Sequence, residues 1–364
     1  MQNYFDIEKC IVWLDSFLGF EYKHKKVILD SVDENTSIKE FIELVKEYFS
    51  VNVSDKDYQT LISSFNSEYV DFLIENLTKK QIKITTLISS DYPKSLYEVA
   101  CPPIVIYYKG DINLVNGDNF AIVGSRKSLP LSINLTKNYA KELILSGFTL
   151  VTGIAEGVDS AVLSTAIENN GKAISVIAGG IDNVYPKTNL NLLDEIAKIG
   201  LVISEYPPQI QAQPFHFPVR NRIIAGLSRG VLVVSGSIKS GTLYTAEYAN
   251  DYNKDLFAIP YSVGVPSGAG CNDLIKKGAL LTDSPLDIIN FYGKNIKKDK
   301  IILSDDEKQI VSVLKDGDLH IEKISALLNK KVFEITPILS VLEIKGIVLK
   351  SGNVYQLTCN DLEV

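Results

Sequence analysis

Two phenylalanines and two arginines crowd into the run PFHFPVRNRIIAGLS, from Pro214 to Ser228. Phe215 and Phe217 offer flat faces on which bases can stack, and Arg220 and Arg222 offer guanidinium forks for phosphates, a pairing suited to single-stranded nucleic acid. The run reads as a binding loop that leads into an apolar, helix-like stretch. The competing reading is a packed loop whose arginines are consumed in internal ion pairs. Asn221, between the arginines, is either a ligand contact or a brace for the backbone of its own loop. His216 belongs with the aromatic and basic groups around it rather than with a catalytic relay, because His24 and His320 are far away in sequence.

Four further segments could face a ligand. Gly124-Ser125-Arg126 combines a tight turn with a fixed positive charge ahead of a helix expected to open near Pro130, whose free N-H groups favour an anion. Thr152-Gly-Ile-Ala-Glu-Gly-Val-Asp159 carries two glycines, Gly153 and Gly157, and ends in an acid suited to the first turn of a helix. Gly179-Gly180-Ile-Asp182 leads to Tyr185-Pro186, either a plain turn or a third wall of the site. Ser235-Gly-Ser-Ile-Lys239-Ser240-Gly241-Thr242 offers hydroxyls, backbone N-H groups and one lysine.

These segments need a frame, and the chain supplies a repeating one. Phe120–Val123, Thr149–Thr152, Ala173–Ile177, Leu201–Ile203, Val231–Val234 and Leu256–Ile259 are short apolar strands separated by longer amphipathic segments. That alternation predicts an α/β, Rossmann-like, doubly wound parallel sheet, in which ligands bind beyond the carboxyl ends of the strands. Each glycine turn follows one of these strands. Residues 1–85 read as a small helical domain, with helical spacing over Ile7–Phe17, Ile38–Phe49 and Asp57–Phe65. Extended segments such as Ile104–Tyr108 then open a domain spanning 86–292. After a charged linker, Gly293–Lys300, residues 301–364 show three helical segments and a hairpin around Ser351-Gly352-Asn353, the order of a winged helix. Its Lys330 and Lys331 are offset by Asp316, Asp318, Glu322 and Glu334, so a protein-interaction or regulatory role competes with DNA contact.

The net charge of -7 excludes a protein that coats nucleic acid by bulk electrostatics, and any such site must be a local patch on an acidic body. Four scattered cysteines, Cys10, Cys101, Cys271 and Cys359, fit neither a disulfide framework nor a zinc site, which points to a reducing cytoplasm. No basic apolar leader and no bilayer-length apolar run stand in the chain, so neither export nor membrane insertion is expected. Neither G-x-G-x-x-G nor G-x-x-x-x-G-K-[ST] is present, which disfavours a dehydrogenase or an NTPase, and no cofactor or metal is expected.

From Tyr92 to Ala279 the motifs AIVGSR, TGIAEGVDSA, GGIDNVYP, SEYPP, FPVRNRIIAGLS, KSGTLYTA and SGAGCNDLIKKGA follow one another in the order of a known family, and the chain resembles DNA-processing protein A, also called DprA or Smf. The flanks are similar to that family's usual SAM-like N-terminal domain and C-terminal winged helix. The resemblance implies a non-catalytic binder of single-stranded DNA that protects incoming strands and loads a RecA-type recombinase in natural transformation, acting as a homodimer formed through the Rossmann-like domain. Carried over by motif, the DNA contacts are Gly124, Ser125, Arg126, Gly153, Phe217, Arg220, Asn221 and Arg222, with Lys239, Ser240 and Gly241 at the rim.

Three positions depart from the family's pattern. Leu163 stands for a usual histidine, Ser235-Gly236 for a usual Glu-Ala, and Tyr261 for a usual glycine, changes that bear on pocket shape and on any secondary ligand. The alternative is an enzyme of the same wider fold, such as a nucleoside-monophosphate glycosidase. Those enzymes resemble the chain at Ser240-Gly241-Thr242, but Thr245 stands where their glutamate would, and Glu247 is two residues further on and faces elsewhere.

Overall fold

The computed structural model describes residues 2–17, 19–33, 35–64, 67–296, 303–315, 317–345 and 347–357. The chain divides into two compact units, Met1–Lys297 and Lys298–Val364. Of the linker expected at 293–300, the part from 297 lies outside the described residues, as do Phe65, Asp316 and Cys359.

The first unit opens with five helices: α1 (Gln2–Ser16), α2 (Tyr22–Asp30), α3 (Ile38–Asn52), α4 (Asp55–Ser64) and α5 (Ser67–Lys79). α3 shows why such short helices start where they do. The Ser37 side chain accepts from Glu40 N while the Glu40 carboxylate accepts from Ser37 N at 2.8 Å, a reciprocal cap that satisfies two otherwise orphan donors. Its apolar face, Phe41, Val45 and Phe49, is buried at four-residue spacing. α2 is not evident from spacing, because three lysines and one histidine occupy its first turns. The boundary expected at residue 85 falls inside a strand, β1 (Lys83–Thr86), and the helical layer shares one hydrophobic core with the sheet.

That sheet contains nine strands: β1, β2 (Val105–Gly110), β3 (Asn119–Val123), β4 (Thr149–Thr152), β5 (Ala173–Val176), β6 (Leu201–Ser204), β7 (Gly230–Val233), β8 (Asp255–Ala258) and β9 (Leu280–Leu281). Their order is β1-β2-β6-β5-β4-β3-β7-β8-β9. The six expected strands are all present and parallel to their neighbours within the set, with pairs such as Ala121 beside Val151 and Val123 beside Val233. The sheet is mixed rather than wholly parallel, since β2 runs antiparallel to both β1 and β6. Every residue of β3, β4, β5, β6 and β7 is buried, the signature of a sheet covered on both faces.

The covering helices are α6 (Pro130–Leu145), α7 (Val158–Glu168), α8 (Leu190–Ile199), α9 (His216–Leu227), α10 (Leu243–Asp251), α11 (Ala269–Lys276) and α12 (Pro285–Phe291). α9 corrects the sequence reading: the run of phenylalanines and arginines is not a loop. Pro218 is compatible with this helix because proline is tolerated in a helix's first turn, where the N-H it lacks has no partner to lose.

The second unit contains α13 (Asp305–Leu314), β10 (Leu319–His320), α14 (Ile321–Leu328), α15 (Val332–Ile344), β11 (Val348–Ser351) and β12 (Val354–Leu357). Three helices and a sheet ordered β10-β12-β11 give the winged-helix topology, around a separate core that includes Ile310, Ile324, Leu339 and Tyr355.

Candidate nucleic-acid interface

A cavity of about 410 Å³ opens beyond the carboxyl ends of β3, β4 and β7. β3 has β4 on one side and β7 on the other, and the chain departs from it in both directions, so the cavity sits at the switch point where open α/β sheets bind ligands.

The turn after β3 forms the floor. Gly124 has no room for a side chain, because a Cβ there would come within 2.5 Å of Val158 Cγ2. The turn is tied down by Ser125 N donating to Ser235 Oγ at 3.2 Å and by Ser128 Oγ donating to Ser125 O at 2.7 Å. Pro130 opens α6 with no side-chain cap, leaving first-turn N-H groups free beside the turn. Arg126 emerges from it and lies over the Phe217 ring, 4.4 Å from the centroid.

The turn after β4 supplies one wall. Gly157 has a φ of +84°, a left-handed conformation that glycine adopts without strain, and a Cβ there would meet Ser125 O and Arg126 O at 2.6 Å. A Cβ on Gly153 would land on Arg220 Nη1 and Asp159 Oδ2, so the missing side chain makes room for both groups. Asp159 lies in the first turn of α7, as expected, and accepts from Ala155 N at 3.2 Å. Burial pushes its carboxyl above the ordinary value, and the nearby Arg220 charge opposes that shift.

α9 supplies the opposite wall through Phe217, Arg220, Asn221 and Ile224, one face at three- and four-residue spacing. Arg220 is buried and donates to Val176 O, and burial lowers its pKa. Asn221 Nδ2 donates to Gly241 O at 3.2 Å, which makes it a brace between α9 and the turn after β7 as well as part of the lining. Arg222 is two residues beyond Arg220, about 200° around the helix, and it leaves the cavity. It forms a buried ion pair with Glu205, at the end of β6, and does not line the cavity. For Arg222 the internal-pair reading describes what the structure contains.

The turn after β7 closes the site. Ser240, Gly241 and Thr242 line the cavity, whereas Lys239 is exposed and outside it. Thr245 also lines it, buried on α10, and Asp159 is the one carboxylate among the described lining residues. Arg126, Lys127 and Arg220 against Asp159 leave the cavity net positive on a chain of net charge -7. Among the described residues no group of three or more histidine, cysteine, aspartate or glutamate side chains could hold a metal.

The mouth is aromatic. Tyr185, more than half exposed, meets Phe217 edge-on with ring centroids 6.1 Å apart, but no residue of the 179–186 segment is among the described residues that line the cavity. Phe215 is exposed and packs edge-on against His216, which stacks on Tyr206 at 4.1 Å. Only the strand-end position of Tyr185 could have flagged it. No helix among the described residues is long and apolar enough to cross a membrane.

The family model of DNA recombination-mediator protein A matches residues 83–293. Protein Smf of Synechocystis is 40% identical over 210 residues, covering 57% of this chain and 53% of that protein. DNA processing protein DprA of Bacillus subtilis is 39% identical over 208 residues, covering 57% of this chain and 70% of its own length. The chain thus spans about half the length of the first relative and about seven tenths of the second. The X-ray structure of DNA processing protein A from Streptococcus pneumoniae superposes with a TM-score of 0.68 at 31% identity, over 80% of this chain and 98% of that one. DNA processing protein A from Helicobacter pylori, known for a single-stranded DNA binding mode, superposes with a TM-score of 0.53 at 31% identity, over 58% of this chain and 95% of that one. With the motifs around the cavity lying inside the matched segment, the chain belongs to the DNA recombination-mediator protein A family, DprA/Smf.

Proposed function

We propose that this protein binds single-stranded DNA across the cavity at the ends of β3, β4 and β7 and delivers the strand to a RecA-type recombinase. The observation that carries the reading is the contact between Arg126 and Phe217, which sets a phosphate-binding cation against a base-stacking face at one opening. The Helicobacter relative's single-stranded DNA binding mode supports it. Gly124 and Ser125 shape the floor, Gly153 makes room for Arg220 in the wall, Arg126 and Arg220 supply charge, Phe217 and Tyr185 supply stacking surface, and Asn221, Ser240 and Gly241 hold the far wall. Lys239 reaches the strand outside the cavity, and Arg222 positions α9 without touching it. A homodimer through the sheet-bearing unit is part of the same proposal, drawn from the family.

The test is fluorescence anisotropy of a labelled single-stranded oligonucleotide, with duplex as competitor, for wild type and Arg126→Ala. Single-strand-selective binding that weakens with salt and is weaker in the variant is the expected result. Equal affinity for wild type and a folded Arg126→Ala protein would overturn the site. Recombinase delivery is tested separately, by the rate of RecA filament assembly on strands coated with single-strand-binding protein. No acceleration by the wild type would remove that part alone.

A further inference from the structure

A second cavity, of about 340 Å³, lies at the other end of the sheet, beside the amino-terminal residues of β3 and β7. Its wall holds two buried polar atoms with no hydrogen-bond partner among the described residues, Asn119 Oδ1 and Ser95 Oγ. Asn119 is only 2% exposed. Its Nδ2 donates to Val115 O at 3.0 Å, a bond only the amino group can make, and this fixes Oδ1 as the acceptor left over. A buried acceptor without a donor is costly, so the site calls for a hydrogen-bond donor.

The same cavity is electropositive. Lys94 and Lys254 line it and have no ion-pair partner among the described residues. Arg229 also lines it, held over the Tyr292 ring at 4.2 Å, and shares Asp118 with Lys294 at 2.8 and 2.6 Å. Two cations on one carboxylate, with Lys94 and Lys254 nearby, leave three positive charges on a chain whose net charge is -7. The lysine and arginine together hold the Asp118 carboxyl below its ordinary value.

We propose that this cavity binds a small phosphorylated ligand carrying a free hydroxyl, of the sugar-phosphate class. The phosphate meets Lys94, Lys254 and Arg229, and the hydroxyl donates to Asn119 Oδ1. The volume lies near the lower end of the roughly 300 to 1,000 Å³ of small-molecule sites. An internal stretch of DNA backbone fits less well, because a phosphodiester has no donor for the buried acceptor. The proposal is independent of strand binding, whose cavity lies at the opposite strand ends.

Isothermal titration of the full chain with ribose 5-phosphate, ribose and inorganic phosphate tests it. Ribose 5-phosphate is expected to bind, inorganic phosphate more weakly and ribose not at all. Lys94→Gln with Lys254→Gln, neither residue being buried, should weaken ribose 5-phosphate roughly tenfold or more, while Arg126→Ala leaves it unchanged. No binding by the wild type would overturn the site. Loss in Arg126→Ala with retention in the double variant would place the phosphate in the first cavity and overturn it too. Inorganic phosphate binding as tightly as ribose 5-phosphate would remove the role given to the hydroxyl. Displacement of ribose 5-phosphate by oligothymidylate in the Arg126→Ala protein would assign the cavity to DNA instead.

Discussion

The guanidinium of Arg126 lies 4.4 Å from the centroid of the Phe217 ring, which itself meets Tyr185 edge-on. A cation over an aromatic face at an exposed site is worth only ~0.5–1 kcal/mol, so a nucleobase arriving at Phe217 can displace Arg126 toward the backbone phosphates at small cost. In the proposed site, the contact therefore keeps the cation and the ring side by side at the mouth.

The two residues separate by their response to salt. Arg126→Ala removes a phosphate contact, so the slope of log affinity against log salt should become shallower by about 0.7. Phe217→Leu keeps the charge count, so affinity should fall by about 1–3 kcal/mol with the slope unchanged. Anisotropy titrations at several salt concentrations read both quantities, and identical slopes for wild type and Arg126→Ala would show that Arg126 meets no phosphate.

Arg222 should behave as a stability residue. It is paired with Glu205 in the interior, and Glu205 Oε1 and Arg222 Nη1 have no other partner among the described residues. Arg222→Met strands a buried carboxylate, which costs about 3–5 kcal/mol, whereas replacing both partners with apolar residues costs far less. Urea denaturation of Arg222→Met, Glu205→Leu and the double variant checks this. A double variant as unstable as Arg222→Met would argue against the stranded charge as the cause.

The contrast between Arg220 and Arg222 marks how far the sequence could be read. The apolar runs of β3 to β8 were legible because a strand buried on both faces needs little besides Val, Ile, Leu, Ala and Phe. The glycine turns were legible because each follows such a run. That Phe215 to Arg222 begin a helix was not, since Pro218 and two aromatics dilute the helical signal. Once α9 is known to be a helix, two residues of spacing put the arginines on different sides, but the partner of Arg222, Glu205, directly follows β6, 17 residues earlier, a pairing that tertiary structure alone sets. Asn119 and Ser95, at the second cavity, come together only when the segment before β2 packs near the start of β3.

Gly153→Ala tests the crowding between the β4 turn and α9. The new methyl would land on Arg220 Nη1 and Asp159 Oδ2, neither of which is the free end of an exposed side chain. Displacing them should lower single-strand affinity at least tenfold and the melting temperature by several degrees, since overpacking costs ~1–3 kcal/mol. Wild-type affinity in Gly153→Ala would mean that Arg220 need not hold its present place.

His216 should give the protein a pH-dependent weakness. Burial, opposed by its contact with Ala178 O, lowers the imidazole pKa below the ordinary 6.5. In the window between the folded value and 6.5 the unfolded chain binds more protons, so this residue's contribution to stability falls as pH falls through that window. His216→Phe, which keeps a ring against Tyr206, should narrow the difference in stability between pH 7.5 and pH 5.5 relative to wild type. Denaturation midpoints at about those two pH values decide it, and an equal pH dependence in the two proteins would remove His216 as a source.

The winged helix should contribute little to strand affinity. α15, the third helix, occupies the position that reads DNA in many winged and helix-turn-helix proteins, yet it contains no lysine or arginine. Phe333 and Ile344 are 69% and 85% exposed, and with Pro337 and Val341 they fall on one side of the helix, giving an apolar stripe where phosphate binding would require cations. The flanking lysines are otherwise engaged, Lys331 over the Phe333 ring and Lys345 donating to Glu307 at 2.6 Å. A protein ending at residue 297 retains the first unit with its own core, and should bind single-stranded DNA within about twofold of the full chain with the same salt slope. A slope shallower by about 0.7 or more in the truncated protein would show that the second unit neutralises at least one phosphate of the strand after all.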